Sequence, residues 1–240
     1  MTLLSVNVNK IALLRNSRGA DFPNVLKVSQ DLVALGAHGI TIHPRPDERH
    51  IKYSDAFELK EALNVELNIE GYPTDSFLDM VCEVKPAQCT LVPDPPEALT
   101  SNAGWDCKAN MEFLQKVISR LQSCGVRASI FLNPDPEQVP CAADTGTDRI
   151  ELYTEAYASA FGKEEQESVF AMYKATADAA TAAGLGVNAG HDLNQENLAY
   201  FAKNIPELLE VSIGHALVVE MIYQGMPVTI ENYLKILKNC

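Results

Sequence analysis

The sequence predicts an α/β fold, a (β/α)8 barrel with extra helices, in which residues 1–240 form a single catalytic domain. Three observations predict it. Short apolar, β-branched runs alternate with longer helical patterns eight times over, as parallel βαβ units require. The length of 240 residues is close to that of one such barrel. The first strand runs into Asn9, Lys10 and Ile11, without the G-x-G-x-x-G turn common in the rival open, doubly wound sheet.

In chain order, the first strand is expected over Leu3–Asn9. Val25–Leu35 then carries apolar residues at helical spacing and ends at Gly36, a C-cap residue. The second strand, Gly39–His43, is followed by a helix over Ser54–Leu63 with Ser54 as candidate N-cap. The third, Glu66–Glu70, precedes a helix over Thr74–Val84, and the fourth, Gln88–Pro93, precedes one over Ala109–Cys124 that stops at Gly125. Strands at Arg127–Asn133 and Arg149–Thr154 come next, then a long Ala-rich helix, Glu164–Ala183. The seventh strand, Gly186–Gly190, leads to a helix at Asn194–Ala202. The eighth, Glu210–Gly214, leads to a short helical stretch at Ala216–Tyr223 and a closing helix at Val228–Leu237. The connections Asp94–Lys108 and Glu155–Lys163 are longer than usual βα loops and, at the catalytic face, would act as lids. No linker, low-complexity tract or charge run divides the chain.

A net charge of −13 repels polyanions, so nucleic acid is not an expected partner. A small anionic metabolite remains possible if a focused pocket gathers Arg, His and backbone N–H groups. The six cysteines include no C-x-x-C pair, and the opening run MTLLSVNVNK is too short and polar for a secretory signal. Reduced thiols, partly in the core of a cytoplasmic protein, are the expectation. No stretch of about 18 apolar residues suggests a membrane helix.

In a (β/α)8 barrel, polar residues at the carboxyl ends of strands face the active site. Here those ends carry Asn7, Asn9 and Lys10, then His43 and Arg45, then Asn68 and Glu70, and finally Glu151, His191 and His215. Four of the five histidines (His43, His50, His191 and His215) fall at or just past such ends, and His38 is the exception. Imidazole both accepts and donates protons near neutrality. Glu70 ends an apolar strand, where desolvation raises a carboxyl toward general-base range, although an ion pair with a barrel Arg would be a structural alternative. Glu151 is open between active-site and structural roles. Two anion sites are suggested: Gly214 and His215 at a helix start, with Gly190 and His191 beside them, and a basic group of Arg15, Arg18, Arg45, Arg49 and His50. No metal-ligand spacing is present.

Several runs, in order along the chain, make the sequence resemble the pyridoxine 5′-phosphate synthase family. They are VNVNKIA at 6–12, LRNSRG at 14–19, GITIHPRPDERHI at 39–51, NIE at 68–70, LVP at 91–93, VNAGH at 187–191 and SIGHA at 212–216. The resemblance implies a cytoplasmic homo-octamer that condenses 3-amino-2-oxopropyl phosphate with 1-deoxy-D-xylulose 5-phosphate to pyridoxine 5′-phosphate, phosphate and water. It implies no cofactor, the imine forming between the substrates rather than on Lys10. It also implies that His43 and Glu70 accept protons and His191 donates one. Asn7, Arg18, Asp192, Gly214 and His215 would contact the amino-ketone phosphate, and Asn9, Lys10, Arg45, His50 and Thr100 the deoxyxylulose phosphate. Asn9-Lys10 stands where the family commonly has Asp-His, and Asp192 where it frequently has Gly. Two rivals remain on the residues alone: another phosphosugar barrel enzyme, which needs one phosphate site, and a metabolite-binding protein without turnover.

Overall fold

The computed structural model describes residues 1–94, 103–205 and 207–240. Eight parallel strands close into a barrel in chain order: β1 (Leu3–Asn7), β2 (Gly39–Ile42), β3 (Glu66–Gly71), β4 (Gln88–Leu91), β5 (Arg127–Leu132), β6 (Arg149–Leu152), β7 (Gly186–Ala189) and β8 (Leu208–Ile213). β1 closes the ring by pairing with β8, Leu3 opposite Glu210 and Val6 opposite Ile213. Around it lie α1 (Asn9–Asn16), α2 (Val25–Ala34), α3 (Tyr53–Ala62), α4 (Asp75–Val84), α5 (Met111–Ser123), α6 (Val139–Asp144), α7 (Glu155–Ala160), α8 (Gln166–Ala182), α9 (Leu198–Asn204), α10 (His215–Gln224) and α11 (Met226–Lys238). The (β/α)8 barrel with extra helices is therefore present. Among the described residues, no helix is long and apolar enough to cross a membrane.

Period-2 alternation explains how the core is divided. Leu4 and Val6, Ile40 and Ile42, Leu67 and Ile69, and Ile130 and Leu132 are buried under the helices. The alternate positions face the lumen, and they are polar: Ser5, Thr41, Asn68, Thr90, Ser129, Asn188 and Ser212 are all buried. Barrel interiors are more often layered with Val, Ile and Leu. Here Ser5 Oγ meets Thr41 Oγ1 at 2.8 Å, and Thr90 Oγ1 donates to Asn68 Oδ1 at 3.1 Å.

The structure corrects several local expectations. The first strand stops at Asn7, because the Asn7 side chain accepts the Asn9 N–H at 3.0 Å and α1 begins there. The expected lid at Glu155–Lys163 contains α7, anchored by Tyr157, whose ring packs on Phe201 at 5.0 Å and Phe170 at 5.7 Å. α6, preceded by a 3-10 turn at Pro136–Gln138, was not expected from the pattern; its Pro140 sits in the first turn, where a missing N–H costs nothing. α9 starts at Leu198 rather than Asn194, since Asn194 Oδ1 accepts the N–H groups of Glu196 and Asn197 in a turn. α3 starts at Tyr53, with Asp55 accepting the Lys52 backbone N–H at 2.7 Å in place of a Ser54 cap.

The cysteines also depart from expectation. Cys82 on α4 and Cys124 at the end of α5 form a disulfide with Cα atoms 5.4 Å apart. The 42-residue separation gave no hint of it, because packing of α4 against α5 brings the two together. Cys89 and Cys107 are free thiols in the core.

Candidate active site

The carboxyl ends of the strands gather the ionisable residues. His43 follows β2 and Glu70 lies near the end of β3, each buried, with His43 Nδ1 at 4.0 Å from Glu70 Oε2. Across the rim, His191 Nδ1 lies 3.9 Å from Glu151 Oε1 on β6. The two pairs lie within electrostatic reach of each other: His191 helps to lower His43, and Glu70 helps to raise Glu151.

Burial drives every one of these groups toward its neutral form. Desolvation, then Arg45 and His50, hold His43 well below the usual imidazole value. Desolvation also lowers His191, with Asp192 and Asp94 opposing. Glu70 is pushed up to about 8 by desolvation and by Glu210, with Arg45 pulling the other way. Glu151 is raised well above an ordinary carboxyl by desolvation, Glu70 and Glu210, and neither of its oxygens has a hydrogen-bond partner among the described residues. The rim thus offers neutral imidazoles beside carboxyls that release their protons late.

Asn7 links this group to the anion site. Its Nδ2 donates to Glu70 Oε2 at 3.4 Å, and its side chain lies against Gly214, where a Cβ would come within 3.1 Å of Asn7 Cβ. Gly214 is the N-cap of α10, and the first turn carries no acidic residue. The first N–H groups of a helix have no intrahelical acceptor, and His215 is exposed at the first helical position. Gly190 is required at the end of β7, because a Cβ there would lie 2.1 Å from the Ser212 carbonyl oxygen.

His191 is held from below and from the side. Its ring packs on Phe131 at 4.8 Å and Tyr153 at 5.9 Å, and Thr154 Oγ1 donates to its carbonyl oxygen. Asp192 has φ +64°, in the left-handed region that favours Gly and tolerates Asp. That geometry accounts for a Gly being frequent there in the family resembled, and it leaves the Asp192 side chain exposed.

The second basic group lies in the β2–α3 loop. Arg45 is buried, and His50 lies 6.3 Å from His43, ring to ring. Desolvation, Arg45 and Arg49 bring His50 down to about 4, and Lys10 adds to the same effect. Asn9 Oδ1 accepts the backbone N–H of His43 at 2.8 Å, so the amide that stands where the family commonly has Asp keeps an acceptor and ties the ends of β1 and β2 together. A small pocket opens beside His43 and Arg45, walled by Tyr53, Tyr72, Phe77 and Asp94.

Two members of the expected set stand apart. Arg15, grouped at first with the anion-binding arginines, is buried in a bidentate pair with Asp55 at 2.6 and 2.9 Å and is not available to a ligand. Arg18 is exposed beyond α1 and makes no ion pair among the described residues. Thr100 lies outside the described residues. Asp94 and Glu210 were not singled out by sequence. Asp94 directly follows the fourth strand and obeys the positional rule, but was read as part of a loop. Glu210 enters the lumen from within β8, where that rule says nothing.

A model of the family described as "Pyridoxal phosphate biosynthesis protein PdxJ" matches residues 4–239. A protein of Parabacteroides distasonis named pyridoxine 5′-phosphate synthase is 56% identical over 233 residues, covering 97% of this chain and 98% of that one. One of Bacteroides thetaiotaomicron with the same name is 55% identical over 240 residues, covering 100% and 99%. A solved phosphoribosyl anthranilate isomerase of Thermotoga maritima shares the fold alone, with a TM-score of 0.64 at 15% identity over 100% of both chains. Matched along nearly its whole length and by relatives more than half identical, the chain belongs to the pyridoxal phosphate biosynthesis protein PdxJ family, a family of enzymes.

Proposed function

We propose that the chain condenses 3-amino-2-oxopropyl phosphate with 1-deoxy-D-xylulose 5-phosphate to give pyridoxine 5′-phosphate, phosphate and water, as one catalytic unit over residues 1–240. The observation that carries the reading is the placing of His43 beside Glu70 and of His191 beside Glu151, 4.0 and 3.9 Å apart toward the carboxyl ends of the strands, with all four biased toward their neutral forms. Closing a pyridine ring from two phosphorylated ketones needs several proton transfers in sequence. A group that titrates near the working pH serves them best, and each well-placed acid or base contributes about 10²–10⁴-fold.

In this reading His43 and Glu70 take protons from the substrates and His191 returns one to a leaving oxygen. Glu151, holding its proton 3.9 Å from His191 Nδ1, is the adjacent acid from which that ring is recharged. Asn7, Gly214 and His215 hold the amino-ketone phosphate at the start of α10, together with Arg18 and Asp192. Arg45, His50, Asn9, Lys10 and Thr100 hold the sugar phosphate. The reading includes a cytoplasmic homo-octamer, in which a neighbouring copy would cover apolar side chains such as Phe22, Ile222 and Tyr223, 82%, 76% and 85% exposed in the single chain.

The test is an assay of the purified chain with both substrates and with no added metal or nucleotide. Pyridoxine 5′-phosphate absorbance and one phosphate released per product are expected. Strict dependence on a metal or nucleotide, or no product from both substrates together, overturns the reading.

A further inference from the structure

The end of α1 is built as a clamp on the loop that carries Arg45, Arg49 and His50. Four of the five N–H donors of the Arg15 guanidinium are used inside the protein. NH1 and NH2 grip the Asp55 carboxylate, NH2 also donates to the His50 carbonyl at 3.0 Å, and Nε donates to Asn16 Oδ1 at 3.0 Å. Asn16 is thereby aimed, and its Nδ2 donates to three successive carbonyls: Glu48 and Arg49 at 3.2 Å and His50 at 2.8 Å. An amide nitrogen has two hydrogens, so the three carbonyls share them, and the chain at 48–50 is wrapped around one side chain. Asp55 closes the arrangement by accepting the Lys52 N–H at 2.7 Å.

The wrapped segment ends in His50, whose ring is fixed as well. Its Nδ1 accepts the Ile51 N–H at 3.0 Å. A neutral imidazole that accepts at Nδ1 carries its hydrogen on Nε2. His50 is therefore an uncharged donor in a set orientation, its ring 6.3 Å from that of His43. Holding a binding loop in its bound shape reduces the ordering that a ligand must otherwise bring about, so such a clamp acts on affinity.

We infer that Arg15, Asn16 and Asp55 are positioning residues that set the affinity for one of the two substrates, the one held by the β2–α3 loop. The inference rests on the proposed function, in which Arg45 and His50 bind the sugar phosphate. Of the groups given to the amino-ketone phosphate, Asn7 and Gly214 make no hydrogen bond to the clamp side chains, and Arg18 meets it through the backbone alone, donating its N–H to the Arg15 carbonyl at 3.4 Å.

The test is steady-state kinetics, varying each substrate at a saturating level of the other, on Asn16→Ala, Asn16→Asp and His50→Ala. Asn16→Asp keeps the acceptor for Arg15 Nε and lacks the amide donors. Both Asn16 variants are expected to raise KM for the sugar phosphate roughly five- to tenfold, the equivalent of about one ordinary hydrogen bond. KM for the amino-ketone phosphate and kcat should stay within about twofold, with a melting temperature lowered by no more than about 4 °C. An equal rise in both KM values, a fall in kcat alone, or wild-type kinetics overturns the clamp. His50→Ala tells the two ideas apart. If it raises the sugar-phosphate KM while the Asn16 variants do not, only the clamp falls; if it leaves that KM unchanged, the loop's assigned ligand is wrong and both fall.

Discussion

Replacing Glu70 with Gln tests the electrostatics of the cavity and its chemistry in one protein. The two side chains are nearly isosteric, and Gln keeps an oxygen to accept from Asn7 Nδ2, now 3.4 Å from Glu70 Oε2. Glu70 titrates near 8 in the fold against 4.5 in an exposed chain. Between those values the folded state holds a proton that the unfolded state has released, so wild-type stability falls as pH rises through the window and levels off above about 8. Each pH step above 4.5 costs about 1.4 kcal/mol, making about 1 kcal/mol at pH 5.5 and about 4 kcal/mol at pH 7.5. Gln does not titrate and escapes this cost. Relaxation of neighbouring groups reduces the gain to a few kcal/mol, which in a chain of this size raises the melting temperature by roughly 5–10 °C at pH 7.5 and little at pH 5.5. Thermal unfolding at the two pH values measures it. Turnover moves the other way. A lost general base lowers kcat by about 10²–10⁴-fold, and the acid limb of the wild-type pH–rate profile, with its midpoint near 8, disappears from what remains. A melting difference independent of pH would falsify the desolvation argument, and near-wild-type turnover would remove Glu70 from the mechanism.

Two further outcomes are expected. Gly190→Ala places a Cβ 2.1 Å from the Ser212 carbonyl, a backbone atom that cannot step aside, so a loss of about 3 kcal/mol or more is expected; a urea midpoint unchanged from wild type would contradict the close approach. Opening the Cys82–Cys124 link frees a 42-residue loop in the unfolded chain, which by loop entropy is worth about 4 kcal/mol. Reductant should therefore lower the melting temperature of the wild type and leave Cys82→Ser unmoved, and equal responses in the two proteins would rule the link out.

The barrel was legible because its signals are local. Each strand is a run of four to six residues with at least one β-branched residue, and Gly36, Gly125 and Gly184, all at positive φ, mark helix ends as read. What escaped depends on contacts between distant segments. Helix α7 is defined by the packing of Tyr157 against α8 and α9, and the Cys82–Cys124 pair by α4 lying on α5. The positional rule singled out His43, Glu70, Glu151 and His191 because strand ends are local features. It could not tell Arg15 from Arg18. Only Asp55, 40 residues away, takes Arg15 out of the group that could meet a ligand. The polar lumen had a readable signal too, since SVN in β1 and ELNIE in β3 alternate where a strand buried on both faces ordinarily reads as a continuous apolar run.

That polar lumen treats the two carboxyls differently. Under β1 to β4 the inward side chains satisfy one another, Ser5 with Thr41 and Thr90 with Asn68, and Glu70 above them has Asn7 as a donor and the Arg45 charge to favour its ionised form. Under β5 to β8, Ser129 Oγ, Asn188 Nδ2 and Ser212 Oγ have no hydrogen-bond partner among the described residues, and neither has Glu151. No cation is among the causes acting on Glu151, whereas Glu70 and Glu210 both repel its charge. Glu70 thus releases its proton more readily than Glu151, and each lies about 4 Å from a histidine that burial biases toward its neutral form. Two acids with different proton affinities in one cavity are what a sequence of abstraction and return requires. The separation comes from the neighbours of each carboxyl: Asn7 and Arg45 favour the ionised form of Glu70, while Glu70 and Glu210 oppose that of Glu151.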